Sequence, residues 1–191
     1  MDLWAEIKED QERGTRRLVA ECGDRLFTAA FLLCRDEALA EDLVFRTLAR
    51  AVRRIGQYRE SAPFYNWLYS ILLNLYRSDL RKRKAEPFAT GVIPEEASVS
   101  TWVGADGETL NADEAAAVRQ AVHALPPIFR EAVVLRYFED KSLAEMAELL
   151  AVPLGTVKSR LRLAYGRLSG MLGGFFDKKK LEIHRNELPR M

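Results

Sequence analysis

The feature that most constrains the fold is the spacing of apolar residues, which recur every three or four positions through most of the 191-residue chain. This spacing places them along one side of an α-helix, and no stretch shows the sustained alternation of apolar and polar residues that marks a strand. An apolar share of 48% is enough to build a core. The sequence therefore predicts an all-α fold.

One segment interrupts the helical pattern. Residues 85–109 carry prolines, glycines and five acidic side chains, but no lysine or arginine. We expect a flexible acidic linker here, joining small helical domains at 1–84 and 110–172, and a C-terminal tail at 173–191 without an assigned role. The linker is interpreted either as a solvated tether or as a segment that occupies a basic channel in a partner.

The second domain contains the most informative motif. Ser142 and Glu145 have the spacing of a capping box, which predicts a short helix to Leu150. After a tight turn at 151–153, a longer helix is expected to reach about Met171. The pattern predicts a helix-turn-helix within a four-helix domain, and the second helix of such a motif can enter the DNA major groove. An ordinary helical hairpin with surface cations is the alternative.

The faces of that second helix follow from a rotation of about 100° per residue. The side expected to be buried carries Val157, Leu161, Ala164 and Leu168. The opposite side carries Gly155, Ser159 and Arg162, with Lys158 at its flank. Arginine and lysine can pair with guanine, serine can contact bases or phosphates, and Gly155 would allow close approach.

A basic tract lies in the first domain. After a helix capped by Asp36 and ended by Gly56, another is expected from Phe64 to about Lys84. Its second half contains the cations Arg77, Arg81, Lys82, Arg83 and Lys84. The approach to them is aromatic: Tyr58, Phe64, Tyr65, Trp67, Tyr69 and Tyr76. Rings beside cations suit unpaired bases. The alternative is a solvated helix end with the rings in the core.

Two separated segments together resemble the extracytoplasmic-function (group IV) sigma factors of the sigma-70 family. Residues 40–44 (AEDLV) and 67–71 (WLYSI) resemble parts of the family's region two. Residues 144–147 (AEMA) and 155–161 (GTVKSRL) are similar to its region-four signature. The resemblance covers roughly residues 20 to 172.

This resemblance implies a protein that binds the β and β′ subunits of core RNA polymerase and directs initiation at promoter DNA. It assigns polymerase binding to Asp42, Leu43, Phe45, Arg46 and Leu48. It assigns recognition of the minus-ten element to Tyr58, Arg59, Ser61, Trp67, Asn74, Arg77, Arg81, Lys82 and Arg83. It assigns recognition of the minus-thirty-five element to Thr156, Lys158, Ser159, Arg160 and Arg162.

The chain also departs from the family pattern. Phe45 and Arg46 stand where the family usually has glutamine and glutamate, and Leu163 and Tyr165 replace two arginines. The family's promoter preference is therefore not transferred. Members are commonly held inactive by an anti-sigma protein, and Phe45 with the apolar first-domain helices offers a surface for one.

Other function classes find less support. Lysine and arginine number 29 against 28 acids, so DNA binding must come from local patches. No paired carboxylates beside a histidine, nucleophile motif, phosphate loop or metal cluster points to an enzyme or a cofactor. A free-standing helix-turn-helix regulator, dimeric on a palindromic site, is the alternative function.

The compartment is expected to be cytoplasmic. No apolar run approaches the roughly 20 residues that span a bilayer, and the first residues are too acidic for a secretory signal. Cys22 and Cys34 are too far apart for a CxxC motif and are interpreted as reduced, inert thiols. A thiol or metal sensor is the alternative.

Overall fold

The computed structural model describes residues 2–85 and 112–173, and the chain divides into two compact units that contain these two ranges. We call them the N-terminal and the C-terminal unit. Every regular element in the described ranges is helical, so the all-α prediction is confirmed. Most of the expected linker, residues 86–109, and nearly all of the expected tail, residues 174–191, lie outside the described residues.

The N-terminal unit is a bundle of four α-helices. They are α1 (Leu3–Glu9), α2 (Gln11–Cys34), α3 (Glu37–Arg53) and α4 (Phe64–Ala85), with a 3₁₀ turn at Ile55–Gln57. Side-chain caps begin two of them: Asp10 accepts a hydrogen bond from the Arg13 amide, and Asp36 accepts one from the Leu39 amide, each at 3.0 Å. Such caps satisfy amides that have no partner inside the helix.

Packing in this unit centres on α2, which contacts α1, α3 and α4, while α3 also packs on α4. The largest fully buried side chains here are Leu18, Leu26, Leu32, Leu33, Leu68, Tyr69, Leu72 and Leu73. Burying such side chains contributes roughly 1.5–3 kcal/mol each, which offsets the entropy lost by ordering the helices.

The C-terminal unit contains α5 (Ala112–Ala124), α6 (Pro127–Val133), α7 (Leu143–Leu150) and α8 (Leu154–Leu172). Helix α8 is central, since α5, α6 and α7 all pack against it. The core of this unit includes Leu125, Leu135, Met146 and Leu161, all fully buried. The four-helix arrangement confirms the architecture expected for this part of the chain.

Two expected helix ends differ from the structure. Helix α3 stops at Arg53, and Gly56 lies inside the 3₁₀ turn instead of ending the helix. The sequence also predicts a helix opened by Pro126-Pro127 and running through Phe138, whereas α6 changes at Val134 into one wider π turn, residues Val134–Phe138. A π turn inserts one extra residue per turn, which apolar periodicity does not reveal. Asn111 and Glu114 have the spacing of a capping box at the start of α5, but Asn111 lies outside the described residues.

Candidate nucleic-acid interface

The turn between α7 and α8 has the geometry of a helix-turn-helix. The Ser142 hydroxyl accepts a hydrogen bond from the Glu145 amide at 3.3 Å, and the Glu145 carboxylate accepts one from the Ser142 amide at 3.0 Å. This reciprocal capping box confirms the predicted start of α7. Ala151 ends α7 in the left-handed conformation, with a φ of 54°, so the chain reverses sharply before Pro153 opens α8.

Helix α8 separates into the two predicted faces. Its buried residues are Val157, Leu161, Ala164, Leu168 and Leu172. Gly155, Ser159 and Arg162 are exposed on the other side, and a Cβ added at Gly155 would meet no atom within 4 Å. The Ser159 hydroxyl donates to the Gly155 carbonyl at 2.9 Å, so its oxygen can accept a further bond. The predicted dry face and polar face are both confirmed.

The remaining candidates on α8 lie along its flanks. Thr156, Lys158 and Arg160 are half-buried, with Lys158 and Arg160 on opposite sides of the exposed ridge. Arg162 is therefore the cation most fully presented by this face. A helix whose exposed ridge is narrow near its N-terminus and carries an arginine can insert into a major groove and pair with guanine.

The two departures from the family pattern on α8 have different surroundings. The Tyr165 ring lies 5.8 Å from the Tyr137 ring in an edge-to-face arrangement, so it packs α8 against the π turn. Leu163 is 48% exposed. Tyr165 therefore contributes to the interior of the unit, whereas Leu163 adds an apolar spot to the surface.

In the N-terminal unit, one face of α4 brings several predicted residues together. Trp67, Asn74 and Arg81 follow one another at intervals of seven, which rotates each by only about 20° relative to the last. Arg77 lies on the same side, and Lys82 is at its flank. Asn74, Arg81 and Lys82 are exposed, while Trp67 and Arg77 are half-buried. This stripe, defined by Trp67, Asn74, Arg77 and Arg81, is called the α4 face below.

Arg83 does not belong to the α4 face. Two residues beyond Arg81 along the helix, it points about 160° away from it, and it is exposed because α4 extends past the core. The structure thus separates the basic tract into a cluster on one face and a cation on the other. The side chain of Lys84 lies outside the described residues.

The aromatic residues before the basic tract divide into two groups. Tyr69 and Tyr76 are buried in the core, and Tyr65 carries the Arg25 guanidinium 4.1 Å from its ring centre. Tyr58, Phe64 and Trp67 form a half-buried cluster with ring centres 5.0 to 5.6 Å apart. Only this cluster lies at the start of the α4 face, so only its rings are candidates for stacking on bases.

The loop at residues 58–61 is closed by its own side chain. The Tyr58 hydroxyl donates to the Ala62 carbonyl at 2.7 Å. Burial, and then the nearby acids Glu60 and Asp2, raise the pKa of Tyr58, so the phenol keeps its proton and can donate. Arg59 and Ser61 are exposed. The loop therefore exposes the Arg59 cation and the Ser61 hydroxyl, while the Tyr58 side chain holds the start of the loop in place.

The polymerase-binding residues assigned on α3 divide by burial. Asp42, Phe45 and Arg46 share one face, and Phe45 is 73% exposed. Leu43 and Leu48 are only 2% and 8% exposed. Those two side chains pack in the bundle interior and hold α3 in place, and their assignment to polymerase contact stays a prediction.

Arg46 is held by two acids. Its guanidinium lies 2.8 Å from the Asp42 carboxylate and hydrogen bonds to both oxygens of Asp79 on α4, one of them at 3.3 Å. The Asp79 hydrogen bond raises the pKa of Arg46. Arg46, which stands where the family usually has glutamate, therefore links α3 to α4. Sequence reasoning missed this pair, since 33 residues separate its members.

The two thiols are unreactive by environment. Burial raises the pKa of Cys34 to about 11 and also raises the pKa of Cys22. Both are therefore protonated near neutral pH, and thiols are poor nucleophiles and metal ligands in that form. Within residues 2–85 and 112–173, no cluster of three metal-ligand side chains occurs, and no helix is long and apolar enough to cross a membrane.

Comparison with known proteins assigns both units. Sigma-70 region 2 matches residues 18–86, and Sigma-70, region 4 matches residues 115–168. The ECF RNA polymerase sigma factor SigM of Mycobacterium tuberculosis is 35% identical over 149 residues, covering 78% of this chain and 72% of its own. SigW of Bacillus subtilis, also an ECF sigma factor, is 27% identical over 174 residues, covering 82% and 87%.

Two solved structures share the fold. The sigma factor RpoE, in complex with the anti-sigma factor NepR from Bartonella quintana, has a TM-score of 0.64 at 28% identity and covers 79% of this chain and 91% of its own. CnrH, in complex with the cytosolic domain of CnrY, has a TM-score of 0.65 at 25% identity and covers 91% and 97%.

The helical unit with the α4 face and the helix-turn-helix unit are regions 2 and 4 of a sigma-70-type transcription initiation factor. Within that class, the chain belongs to the extracytoplasmic-function sigma factors of RNA polymerase. Its function is to direct promoter-specific initiation, which confirms the family and the activity that the sequence motifs implied.

Proposed function

We propose that the N-terminal unit captures unpaired bases of the minus-ten element along the α4 face. The observation that carries this proposal is the order of side chains along that face. Aromatic rings lie at its start, the Asn74 amide in the middle, and the Arg77 and Arg81 cations at its end. Proteins bind single-stranded DNA by stacking its bases on aromatic rings and by pairing its phosphates with cations. Lys82, at the flank, would add a phosphate contact.

The C-terminal unit would bind the minus-thirty-five element as duplex. Arg162 and Lys158 would reach base edges in the major groove, and Ser159, whose hydroxyl donates to the Gly155 carbonyl, would accept a hydrogen bond from the DNA. Thr156 and Arg160 on the flank would contact phosphates and set the register of the helix. Leu163 would meet an apolar group such as a thymine methyl.

The surface for core polymerase would be the α3 face formed by Asp42, Phe45 and Arg46. An exposed phenylalanine beside a neutralised ion pair favours an apolar contact on the partner over the charge pairing that glutamate would offer. We place the β′ and β subunits of the polymerase here, with Phe45 as the anchor.

Control by an anti-sigma factor is part of the proposal. RpoE of Bartonella quintana was solved in complex with such a protein, and it shares the fold and 28% of the sequence. Phe45 would serve that partner as well, because an inhibitor that covers the polymerase surface excludes the polymerase by competition. Co-purification from native cells, followed by mass spectrometry, tests this and would name the partner.

The central experiment reconstitutes the full chain with core polymerase and measures initiation on genomic fragments. We expect promoter-dependent initiation with core enzyme and little specific retardation of duplex DNA without it. Tight and specific binding of the isolated protein to palindromic fragments, with no gain in initiation, would instead establish a free-standing regulator.

A matched pair of variants tests the α4 face. Arg81→Ala removes a cation on that face, and Arg83→Ala removes the same charge two residues away on the opposite side. We expect Arg81→Ala to reduce open-complex formation at least several-fold more than Arg83→Ala does. Equal losses would mean that Arg81 acts only through its positive charge and not through its position on the α4 face.

A further inference from the structure

Helix α1 lies outside the part of the chain that matches region 2, which begins at residue 18. It is nonetheless fixed to the unit by close contacts. A Cβ placed on Gly14 of α2 would lie 2.6 Å from the Ile7 backbone, so α1 and α2 approach to a distance that only glycine allows. The function proposed above makes no use of α1.

An ion-pair cluster adds to this attachment. The Glu6 side chain is 4% exposed and lies 2.7 Å from the guanidinium groups of both Arg13 and Arg17 on α2. Two cations around one enclosed carboxylate fix the rotation of α1 about its own axis, because any other rotation would leave that carboxylate buried without its partners. Helix α1 is therefore a rigid support.

This support contacts the segment that leads into the loop at residues 58–61. Helix α1 packs against the 3₁₀ turn Ile55–Gln57, and the Trp4 ring centre lies 5.8 Å from that of Tyr58. Tyr58 in turn contacts Phe64 and Trp67 at 5.0 and 5.5 Å and closes the loop through its bond to Ala62. Trp4 thus extends the aromatic cluster from the matched region into α1.

We infer that Trp4 is a positioning residue for minus-ten recognition, acting through Tyr58 and not on DNA itself. Held by α1, its ring restricts Tyr58 to one orientation, and the hydrogen bond from Tyr58 to Ala62 then fixes residues 59–61 between them. This inference rests on the proposed function of the N-terminal unit and on the assignment of Tyr58, Arg59 and Ser61 to minus-ten recognition. It adds a determinant of base selectivity that lies 54 positions before Tyr58 in the chain.

The first test measures the loop in the full chain without polymerase, by hydrogen exchange and mass spectrometry. Trp4→Ala removes the ring, Trp4→Phe keeps an aromatic contact, and Phe27→Ala removes a ring that packs on Phe31 elsewhere in the unit. We expect Trp4→Ala to speed amide exchange of residues 55–63 by about 3- to 10-fold, the scale of one aromatic contact. Trp4→Phe should restore most of the protection. Unchanged exchange in Trp4→Ala, or an equal rise in Phe27→Ala, would overturn the inference.

The second test uses the same variants as holoenzymes on promoters substituted at each minus-ten position. Trp4→Ala should lose about 3- to 10-fold of its discrimination at the position read by the loop and none at the minus-thirty-five element. If the wild type discriminates between minus-ten bases and Trp4→Ala discriminates equally well, the inference is overturned but the proposed function is not. A wild type without minus-ten preference would overturn the proposed function as well. Loss of discrimination in Trp4→Ala with unchanged loop exchange would assign Trp4 to direct DNA contact and overturn positioning.

Discussion

Among single residues, Arg162 is the base-contacting cation proposed for the helix-turn-helix. It is exposed on the ridge of α8, opposite the buried stripe. Arg162→Ala should weaken use of the minus-thirty-five element by about 1–3 kcal/mol, the value of one good base contact. Initiation assays on promoters with intact and scrambled elements measure this, with Ser169→Ala on the same helix as control. A loss of equal size on the scrambled promoter would identify a phosphate contact instead.

A second single residue, Arg46, joins α3 to α4 through Asp79. Both side chains are about one-third exposed, and solvent therefore screens the pair. Arg46→Ala should lower the free energy of unfolding of the N-terminal unit by about 1 kcal/mol. A double-mutant cycle with Asp79→Ala, followed by urea unfolding, measures the coupling. Additive losses in the cycle would show that Arg46 stabilises the unit through Asp42 or through its packing and not through Asp79.

Among the elements, the attachment of α1 to α2 should depend on pH. The hydrogen bond from Arg17, together with the charges of Arg13 and Arg17, holds the pKa of Glu6 below its ordinary value of 4.5. A lowered pKa means that the carboxylate stabilises the fold above pH 4.5 and that this contribution is lost as the pH falls through the lowered value. Exchange protection of α1 should therefore decline in acid.

Glu6→Gln is the matched variant for this prediction. It preserves the shape of the side chain and removes its charge. At about pH 7 the wild type should protect α1 more than the variant does, and the difference should shrink progressively as the pH falls below the ordinary value of 4.5 and through the lowered pKa of Glu6. Hydrogen exchange of residues 3–20 measures both. Equal protection of α1 in the two proteins at about pH 7 would assign the attachment to packing at Gly14.

The helices also show where sequence patterns are sufficient. The caps at Asp36 and Ser142 and the buried stripe of α8 depend on residues a few positions apart, and all were predicted correctly. The π turn at Val134–Phe138 was not predicted, because one wider turn inside a helix leaves no clear mark in the spacing of apolar residues. Local spacing therefore encodes caps and faces but not a shift in helical register.

For the whole molecule, the two units should act as separate readers of one promoter. Arg81 and Arg162 belong to different units, and distant sites that share no partner contribute additively. In the Arg81→Ala/Arg162→Ala double variant, the fold-losses in initiation should therefore multiply to within about twofold. Holoenzyme assays on one consensus promoter compare the single and double variants. A double loss no larger than either single loss would mean that both residues act on one common step.

The sequence by itself determined the all-α class, the helix-turn-helix and the two faces of α8, because residues three, four and seven apart settle these. Its motifs also identified the sigma-factor family. Tertiary structure alone decided which members of a predicted set share a surface. It turned Leu43 and Leu48 inward, paired Arg46 with Asp79 and brought Trp4 to Tyr58. The last two contacts join residues far apart in the chain, and their formation depends on how whole helices pack.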